Sequence, residues 1–238
     1  MTIEQITYQK GKWNQYIGNI WCEVFTIANF PKKGTLIEIA PGSVNKIGEG
    51  LSQYEFEGKL YIIEPNPSAL ESITEKYQKQ LTRTQIIPIQ KTLKDAIKYL
   101  PKCDAIISNH PLDDMIIGES LNINSFNDLF NDHYNLSALE QTRKYWEILE
   151  SNPKKLEKIK EKVLTDWNNT IQTIKPNITI ISQYESYSFQ SMNITQPDMH
   201  AIEVLNKIRQ IYSNSDQSQI LKNVNRITDY MHWLLIKK

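Results

Sequence analysis

Apolar residues recur at two spacings along this chain, and the change between them predicts its helices and strands. Between residues 12 and 29 they return every three or four positions, which is typical of an amphipathic helix, and Pro31 ends the pattern. Short apolar runs that are typical of buried strands lie at 35–40, 60–63, 85–89 and 104–107. Helical patterns follow the first three of these runs, at 45–53, 67–81 and 93–100. Strands that are apolar on both faces and alternate with helices indicate a parallel sheet covered on both sides.

The alternation stops after the fourth predicted strand. The segment 119–174 has no convincing strand pattern, and we expect it to be an insertion with helices at 137–150 and 153–174. Within the second of these helices, the run 154–162 alternates lysine with glutamate. We interpret this run as a solvated helix face rather than a nucleic-acid-binding patch, because its glutamates lie three or four positions from lysines.

The pattern in the last part of the chain predicts the remaining strands of the sheet. A fifth strand at 177–182 is followed by a helix at 198–212. Two further apolar runs, at 219–221 and 232–236, are expected to pair as a terminal antiparallel hairpin. The predicted class is therefore α/β, with seven strands in one mainly parallel sheet.

Length and composition limit how this fold is organised. The chain has 238 residues, which is more than one domain of about 150 residues and less than two. We therefore expect an N-terminal helical cap at 1–33 and one α/β domain at 34–238 that contains the insertion. Two cysteines provide no disulfide framework and suit a reducing compartment. Because no apolar stretch approaches 18 residues and the first residues lack the pattern of a signal peptide, we expect a soluble cytoplasmic protein without a membrane partner.

The charges of the chain cancel, with 27 Lys and Arg residues against 27 Asp and Glu residues. A neutral chain is not well suited to bind a nucleic-acid backbone or an anionic membrane. We therefore expect a small-molecule partner rather than a macromolecule, with nucleic acid an unlikely partner, and we leave the oligomeric state open.

Polar and small residues follow the first two predicted strands. In an open parallel sheet, ligands bind outside the carboxyl ends of the strands, where the strand order switches. The first tip contains Glu38 and a loop of small residues, which are Ala40, Pro41, Gly42 and Ser43. The second tip contains Glu64 and Pro65, and Glu64 follows Gly42 by the spacing at which an acidic residue binds ribose hydroxyls. A structural interpretation is also open, in which Glu64 caps the next helix and Gly42 only makes a turn.

Two phosphate-binding motifs are absent from the sequence. There is no Gly-x-Gly-x-x-Gly, which a dinucleotide-binding turn would need, and no Gly-x-x-x-x-Gly-Lys-Ser/Thr, which a P-loop would need. A nucleoside without phosphates therefore agrees better with the two tips, and S-adenosylmethionine is such a ligand.

The strand tips together resemble class I, Rossmann-like methyltransferases that use S-adenosylmethionine. The likeness covers about residues 34–115 and, more loosely, the terminal hairpin. It implies a three-layer sandwich around a mainly parallel seven-stranded sheet with a C-terminal antiparallel hairpin. The sequence departs from the family pattern acidic-x-Gly-x-Gly-x-Gly, because Ala40 and Val44 stand where the family has glycines.

The resemblance also implies roles for the residues at the tips. Glu38 and the backbone of Ala40, Pro41, Gly42 and Ser43 would face the methionine part of the cofactor, and Glu64 with Pro65 would bind the ribose. Gln90 and Thr92, after the third strand, would lie near the adenine, although the family often has Asp in place of Gln90. Asn109 and His110, after the fourth strand, would line the cofactor near the transferred methyl group.

Candidate catalytic residues follow the fourth strand. His110 could act as a general base on a hydroxyl or amine, with Asp113 or Asp114 orienting its ring. Alternatively, the two aspartates cap the following helix. His110, Asp113, Asp114 and His133 could also supply metal ligands, but their spacing matches no known site and we expect no metal.

The expected function is methyl transfer from S-adenosylmethionine, which becomes S-adenosylhomocysteine, to an oxygen or nitrogen of an unidentified acceptor, with a small molecule preferred. The aromatic and hydroxyl residues of 183–189 could bind a polar aromatic acceptor, or could continue the fifth strand. The alternatives are a non-catalytic protein that binds S-adenosylmethionine or S-adenosylhomocysteine, an RNA methyltransferase, and a nicotinamide oxidoreductase.

Overall fold

The structure is a computed structural model that describes residues 12–121, 136–186, 189–190 and 194–238, with only the backbone for 136–139. The strands are β1 (Lys33–Ile39), β2 (Glu57–Ile63), β3 (Thr84–Ile89), β4 (Ala105–Asn109), β5 (Ile178–Ser182) and β6 (Trp233–Lys237). The α-helices are α1 (Trp13–Ile27), α2 (Lys46–Gln53), α3 (Pro67–Gln80), α4 (Leu93–Ala96), α5 (Leu112–Ser120), α6 (Leu136–Glu150), α7 (Pro153–Ile174) and α8 (Gln196–Ile211). Short 3₁₀ turns occupy Ile97–Tyr99, Ser213–Ser215, Ser218–Asn223 and Tyr230–His232. Among these described residues, no helix is both long enough and apolar enough to cross a membrane.

The strands form one sheet in the order β3-β2-β1-β4-β5-β6. The pairs from β3 to β5 are parallel, and β6 runs antiparallel to β5. After β1 the chain builds outwards through β2 and β3, then returns to place β4 on the other side of β1. This reversal puts the switch point of the sheet between β1 and β4, where open α/β folds bind their ligands. The predicted Rossmann-like α/β class and the antiparallel C-terminal strand are confirmed.

The prediction of seven strands is wrong for the described residues, which contain six in this sheet. The predicted strand 219–221 lies in the 3₁₀ turn Ser218–Asn223, so the terminal hairpin does not form, and β6 pairs with β5 instead. The physical reason is local: Asp216 makes a single bridge with Ile236, and its side chain then accepts a hydrogen bond from the backbone N–H of Ser218 at 2.8 Å. Such side-chain bonds compete with strand pairing and turn the chain away from the sheet edge.

The strands β1, β4 and β5 have buried residues on both faces, and this divides the core into two layers. Leu36 of β1 and Ile107 of β4 pack with the aromatic residues of α1, including Trp21 and Phe25, together with α2 and α3. On the opposite face, Ile37, Ile39 and Ile106 pack with apolar residues of α5, α6, α7 and α8. Burial of one such side chain stabilises the fold by about 1.5–3 kcal/mol. Because apolar side chains are buried on both faces of the sheet, helices cover both faces and the fold is a three-layer sandwich.

Helix α7, which precedes β5, packs one face into the apolar layer that it shares with the sheet and α8. Four lysines of the run 154–162 are exposed, in agreement with a solvated face, but the fifth, Lys160, is only 1% exposed. The Lys160 ammonium pairs with Glu157 of α7 and with Glu203 of α8. Because an unpaired buried ammonium would be costly, these carboxylates explain how a lysine occupies the packed face.

Gly58 lies near the start of the β1–β2 pair and can be used to test how closely the two backbones approach there. It lies opposite Gly34 with φ of 139°, and a Cβ on Gly58 would be 2.0 Å from the carbonyl oxygen of Gly34. We expect Gly58→Ala to lower the free energy of unfolding by about 2–4 kcal/mol, because backbone atoms must move. Urea denaturation measures this loss.

The control is Gly42→Ala, since Gly42 also has a positive φ of 62° but no atom lies within 4 Å of the added Cβ. Its expected loss is about 1–2 kcal/mol, from left-handed backbone strain alone. Equal losses in the two variants would contradict a steric origin at Gly58.

Candidate cofactor and catalytic site

The carboxyl ends of β1, β2, β4 and β5 bring most of the predicted site residues to one edge of the sheet. Glu38 closes β1 and is only 1% exposed. The hydroxyl of Tyr77, from α3, donates to Glu38 Oε1 at 2.9 Å, whereas Glu38 Oε2 has no hydrogen-bond partner among the described residues. Burial raises the pKa of Glu38 to about 8, although the Tyr77 hydrogen bond opposes this. The carboxyl of Glu38 is therefore mostly protonated at neutral pH.

The loop after β1 has the backbone conformation of a glycine-rich turn. Ala40 has φ of 51°, in the left-handed region, and its N–H donates to the carbonyl of Ile63 at 2.9 Å. Pro41 is buried, and Gly42 is also left-handed. The carbonyl of Ser43 accepts a hydrogen bond from the ammonium of Lys76 at 2.7 Å. The alanine at the first family glycine thus has a conformation that glycine adopts more easily.

Glu64 connects the tip of β2 to the loop after β1. Its Oε2 accepts from the N–H of Gly42 at 3.1 Å, and its Oε1 accepts from the N–H of Asn66 at 3.0 Å. Burial raises the pKa of Glu64 to about 7, with these two hydrogen bonds opposing the rise. Asn66, not Glu64, caps α3, because Asn66 Oδ1 accepts from the N–H of Ala69. The structural alternative of a capping role for Glu64 is therefore wrong, and Pro65 lies half-buried between the two residues.

The predicted site residues after β3 make fewer contacts with the site residues after β1 and β2. Gln90 is exposed. Thr92 is the N-cap of α4, and its hydroxyl accepts from the N–H of Asp95 and donates to the Asp95 carboxylate at 2.9 Å. The third tip stays beside the second through the hydrogen bond from the N–H of Glu64 to the carbonyl of Ile89.

Asn109, at the end of β4, joins three parts of the fold. Its Oδ1 accepts from Trp21 Nε1 of α1 at 2.9 Å and from Ser182 Oγ of β5 at 3.2 Å. Its Nδ2 donates to the hydroxyl of Tyr184 at 3.2 Å. Because both polar atoms of this side chain have protein partners, Asn109 fixes the position of the neighbouring residues at the tip.

His110 lies between two carboxylates. Its Nδ1 is 3.1 Å from Asp113 Oδ1, and its Nε2 is 3.7 Å from Asp198 Oδ1. Burial by itself would lower the pKa of His110, but the charge and hydrogen bond of Asp113, with the charge of Asp198, raise it to about 10. The ring is thus an imidazolium at neutral pH, and a protonated ring cannot accept a proton.

The adjacent aspartates have opposite environments. Burial acts to raise the pKa of Asp113, but the charge and hydrogen bond of His110, with a hydrogen bond from Gln183, hold it below the usual value. Asp114 is only partly buried by its surface, yet burial and the neighbouring Asp113 raise its pKa well above the usual value. No side chain caps α5, whose N-cap is Pro111, so both aspartates lie in the first turn instead. Pairs of acids separated in this way are typical of acid and base roles.

Three residues of this cluster were not predicted from the sequence as site residues. Tyr77 contacts Glu38 from α3, and Asp198 contacts His110 from α8. Gln183 follows β5 and donates from Nε2 to Asp113 Oδ1 at 2.9 Å, while its Oε1 accepts from the N–H of Leu112. Each of these contacts spans many residues of sequence, so no local pattern could reveal it.

His133 lies outside the described residues, as do 187–188 of the fifth tip, 1–11 of the predicted cap and 122–135 of the predicted insertion. Over the described part of the chain, no group of three His, Cys, Asp or Glu side chains is placed to hold a metal ion.

No protein-family model and no curated protein sequence matches this chain. Solved structures do resemble it. The methyltransferase domain of a bacterial Hen1 has 13% identity and a TM-score of 0.47, over 94% of this chain and 98% of that chain. Fibrillarin from Aeropyrum pernix, with natively bound S-adenosylmethionine, has 9% identity and a TM-score of 0.44, over 92% and 76%. An O-methyltransferase family protein from Burkholderia thailandensis has 12% identity and a TM-score of 0.45, over 94% and 55%.

The predicted resemblance to class I methyltransferases is confirmed at the level of the fold. The expectation about partners needs a correction. Similar structures also include the fibrillarin/Nop5p complex, with 10% identity and a TM-score of 0.41 over 87% of this chain and 72% of that chain. Another is a putative rRNA methylase from Clostridium thermocellum, with 12% identity and a TM-score of 0.42 over 79% and 78%. The preference for a small molecule and against nucleic acid was therefore wrong, because a zero net charge averages over the whole chain and excludes no local binding surface.

The buried Glu38 predicts a pH dependence of stability. Its pKa is about 8 in the folded protein against an ordinary value of 4.5, so folding favours the protonated form. The stability contributed by proton binding is full below about pH 4.5 and is lost as the pH rises through 8. We expect Glu38→Gln, which mimics the protonated acid and keeps an acceptor for Tyr77, to reduce the loss of stability between pH 5 and 9 by more than about 1 kcal/mol. Urea denaturation at each pH measures this.

Glu71→Gln, on the exposed face of α3, is the matched control and should leave the pH dependence unchanged. A Glu38→Gln protein whose stability falls as steeply as that of the wild type would contradict the assignment.

Proposed function

We propose that this protein binds S-adenosylmethionine across the switch point between β1 and β4 and transfers its methyl group to a nucleophilic acceptor. The observation that carries this proposal is the position of Glu64, whose buried carboxyl joins the loop after β1 at the tip of β2. An acidic residue in this place can accept hydrogen bonds from two adjacent ribose hydroxyls.

The described residues agree with the shape and chemistry of an adenosyl ligand. Each oxygen of Glu64 accepts one amide hydrogen bond and keeps a lone pair for a hydroxyl. The space beside Gly42 is open, so ligand atoms can approach the backbone of the loop 40–43. Glu38 Oε2 is buried and has no hydrogen-bond partner within the described part of the chain. We assign the loop and Glu38 to the methionine part, Glu64 to the ribose, and Gln90 to the adenine.

When bound, S-adenosylmethionine supplies an electrophilic methyl carbon on a sulfonium centre. Transfer breaks the sulfur–carbon bond, forms a bond from an acceptor oxygen or nitrogen to that carbon, and leaves a neutral thioether. The protein aligns the reacting atoms and removes the acceptor proton. We assign acceptance of this proton to Asp114, because Asp114 is partly exposed and its raised pKa makes its carboxylate more basic than an ordinary aspartate, whereas His110 is already protonated at neutral pH.

We assign the binding site of the methyl acceptor to the aromatic residues beside the tips of β4 and β5. Trp13 stacks on Tyr16 with ring centroids 5.6 Å apart, and Tyr184 lies edge-on to Trp13 at 6.2 Å. The ammonium of Lys46 lies 5.6 Å from the Tyr184 ring. Tyr184 in turn borders His110, with the two ring centroids 5.0 Å apart.

A second candidate is binding of S-adenosylmethionine without turnover. It is favoured by the replacement of family glycines by Ala40 and Val44. The two candidates share a ligand and differ in the release of S-adenosylhomocysteine, which an assay with protein and RNA extracts as acceptors would measure.

Glu64→Gln tests the proposed cofactor site. We expect the affinity for S-adenosylmethionine and for S-adenosylhomocysteine to fall by roughly 10- to 150-fold, corresponding to about 1.5–3 kcal/mol for a hydrogen bond to a charged group. Because the hydroxyls need the ionised carboxylate, wild-type affinity should rise as the pH passes through about 7, and this rise should disappear in the variant. Isothermal titration calorimetry measures both effects.

The control Glu71→Gln removes a carboxylate from the exposed face of α3 and should bind like the wild type. NAD serves as the comparison ligand and should bind no better to the wild type than to Glu64→Gln. If neither adenosyl ligand binds the wild type at millimolar concentration, the proposed function is wrong; if Glu64→Gln binds normally, Glu64 is not in the site.

A further inference from the structure

The strongest unassigned feature is Asp198, in the first turn of α8, which faces His110 across the tip of β4. Asp198 is 5% exposed, and its Oδ1 is 3.7 Å from His110 Nε2. Both atoms are buried, and among the described residues neither has a hydrogen-bond partner. In this arrangement, the negative carboxylate oxygen and the imidazole nitrogen stabilise each other electrostatically when the ring is protonated.

Both sides of the His110 ring are held from different elements. Asp113, in α5, pairs with Nδ1 of the ring. The side-chain amide of Gln183, after β5, holds Asp113 in place by a hydrogen bond. Asp198, in α8, faces Nε2, and its other oxygen accepts from the N–H of Ser186 at 3.0 Å. Since both carboxylates are anchored, each ring nitrogen faces a carboxylate oxygen whose position is fixed.

We propose that Asp198 is a positioning residue that, together with Asp113, holds His110 as a fixed imidazolium and ties α8 and the segment after β5 to the tip of β4. His110 then supplies a permanent positive charge and a link between three elements, rather than the proton acceptor that its sequence position predicted. This deepens the proposed function, because it leaves a carboxylate to accept the proton from the acceptor.

The charges around His110 agree with this role. Asp113, Asp198, Asp114 and Tyr184 face it from α5, α8 and the segment after β5, and Lys46 and Glu185 lie further out in the same cluster. Burial raises the pKa of Asp198 to about 7, although the His110 charge opposes the rise. The pair is therefore strongest between the pKa of Asp198, about 7, and that of His110, about 10.

The test is a pH titration of the histidine Cε1–H signals by NMR in the free protein, with the His110 signal assigned from its absence in His110→Gln. In the wild type we expect the His110 midpoint near 10. Asp198→Asn should lower that midpoint by about one pH unit or more, because it removes one of the two facing charges. Asp198→Glu keeps the charge and should restore most of the shift.

Asp229→Asn is the matched control. Asp229 Oδ2 lies 3.7 Å from His232 Nε2, the same separation as in the Asp198 pair, but its side chain is 47% exposed. This variant should leave the His110 midpoint unchanged, since it is a surface pair.

A wild-type His110 midpoint near 6.5, or a midpoint that Asp198→Asn does not move, would overturn the proposal. Should Asp198→Asn fail to fold, the wild-type and Asp198→Glu titrations still decide. The measurement needs no ligand, so its result does not depend on whether S-adenosylmethionine binds. Failure of S-adenosylmethionine to bind would contradict the proposed function, whereas a low His110 midpoint would contradict the proposed role of Asp198.

Discussion

The pairing of β1 with both β2 and β4 is the constraint on which the rest of the structure depends. It places the strand that carries Glu38 in the centre, with β2 and β3 to one side and β4 and β5 to the other. Parallel strands all end at the same edge, so this order brings Glu38, Glu64 and His110 together although 72 residues separate the first and last of them. Helices on both faces bury these strands and supply Trp21 and Tyr77 to the same edge.

The consequence is a concentration of buried acids. Glu38, Glu64, Asp113, Asp114 and Asp198 all end at this edge, and burial acts to raise the pKa of every one of them. Only Asp113 has a lowered pKa, because it combines the charge of His110 with hydrogen bonds from His110 and Gln183, whereas Asp198 faces the ring without a hydrogen bond to it. A protein without a ligand gains little stability from such a group, since each ionised carboxyl loses hydration. Groups of this kind are typical of sites where a bound molecule supplies the missing partners.

Much of the fold was predictable from the sequence because it depends on local patterns. The apolar runs of β1 to β5 and the helical spacings act over a few residues, and the acids at the tips follow directly from the strand ends. The 3₁₀ turn that replaces the predicted strand 219–221 and the partners of His110 were not predictable in the same way. Asp216 and Ser218 turn the chain by a local side-chain bond that resembles many polar segments, and Asp198 meets His110 only after the fold brings α8 to β4.

Backbone strain supports the assignment of this edge. Among the described residues, the non-glycine positions with positive φ are Asn29, Ala40, Glu55, His110 and Lys175. Lys175 ends α7 and Asn29 follows α1, so these two close helices, where such a conformation is common. Ala40 and His110 instead follow β1 and β4, directly on the two sides of the switch point. A left-handed alanine or histidine costs about 1–2 kcal/mol, and it persists because the surrounding hydrogen bonds, to Ile63 and Ser182, determine the path of the chain. Strain held on both sides of the switch point agrees with a binding site there, since strained backbone conformations cluster at ligand-binding sites.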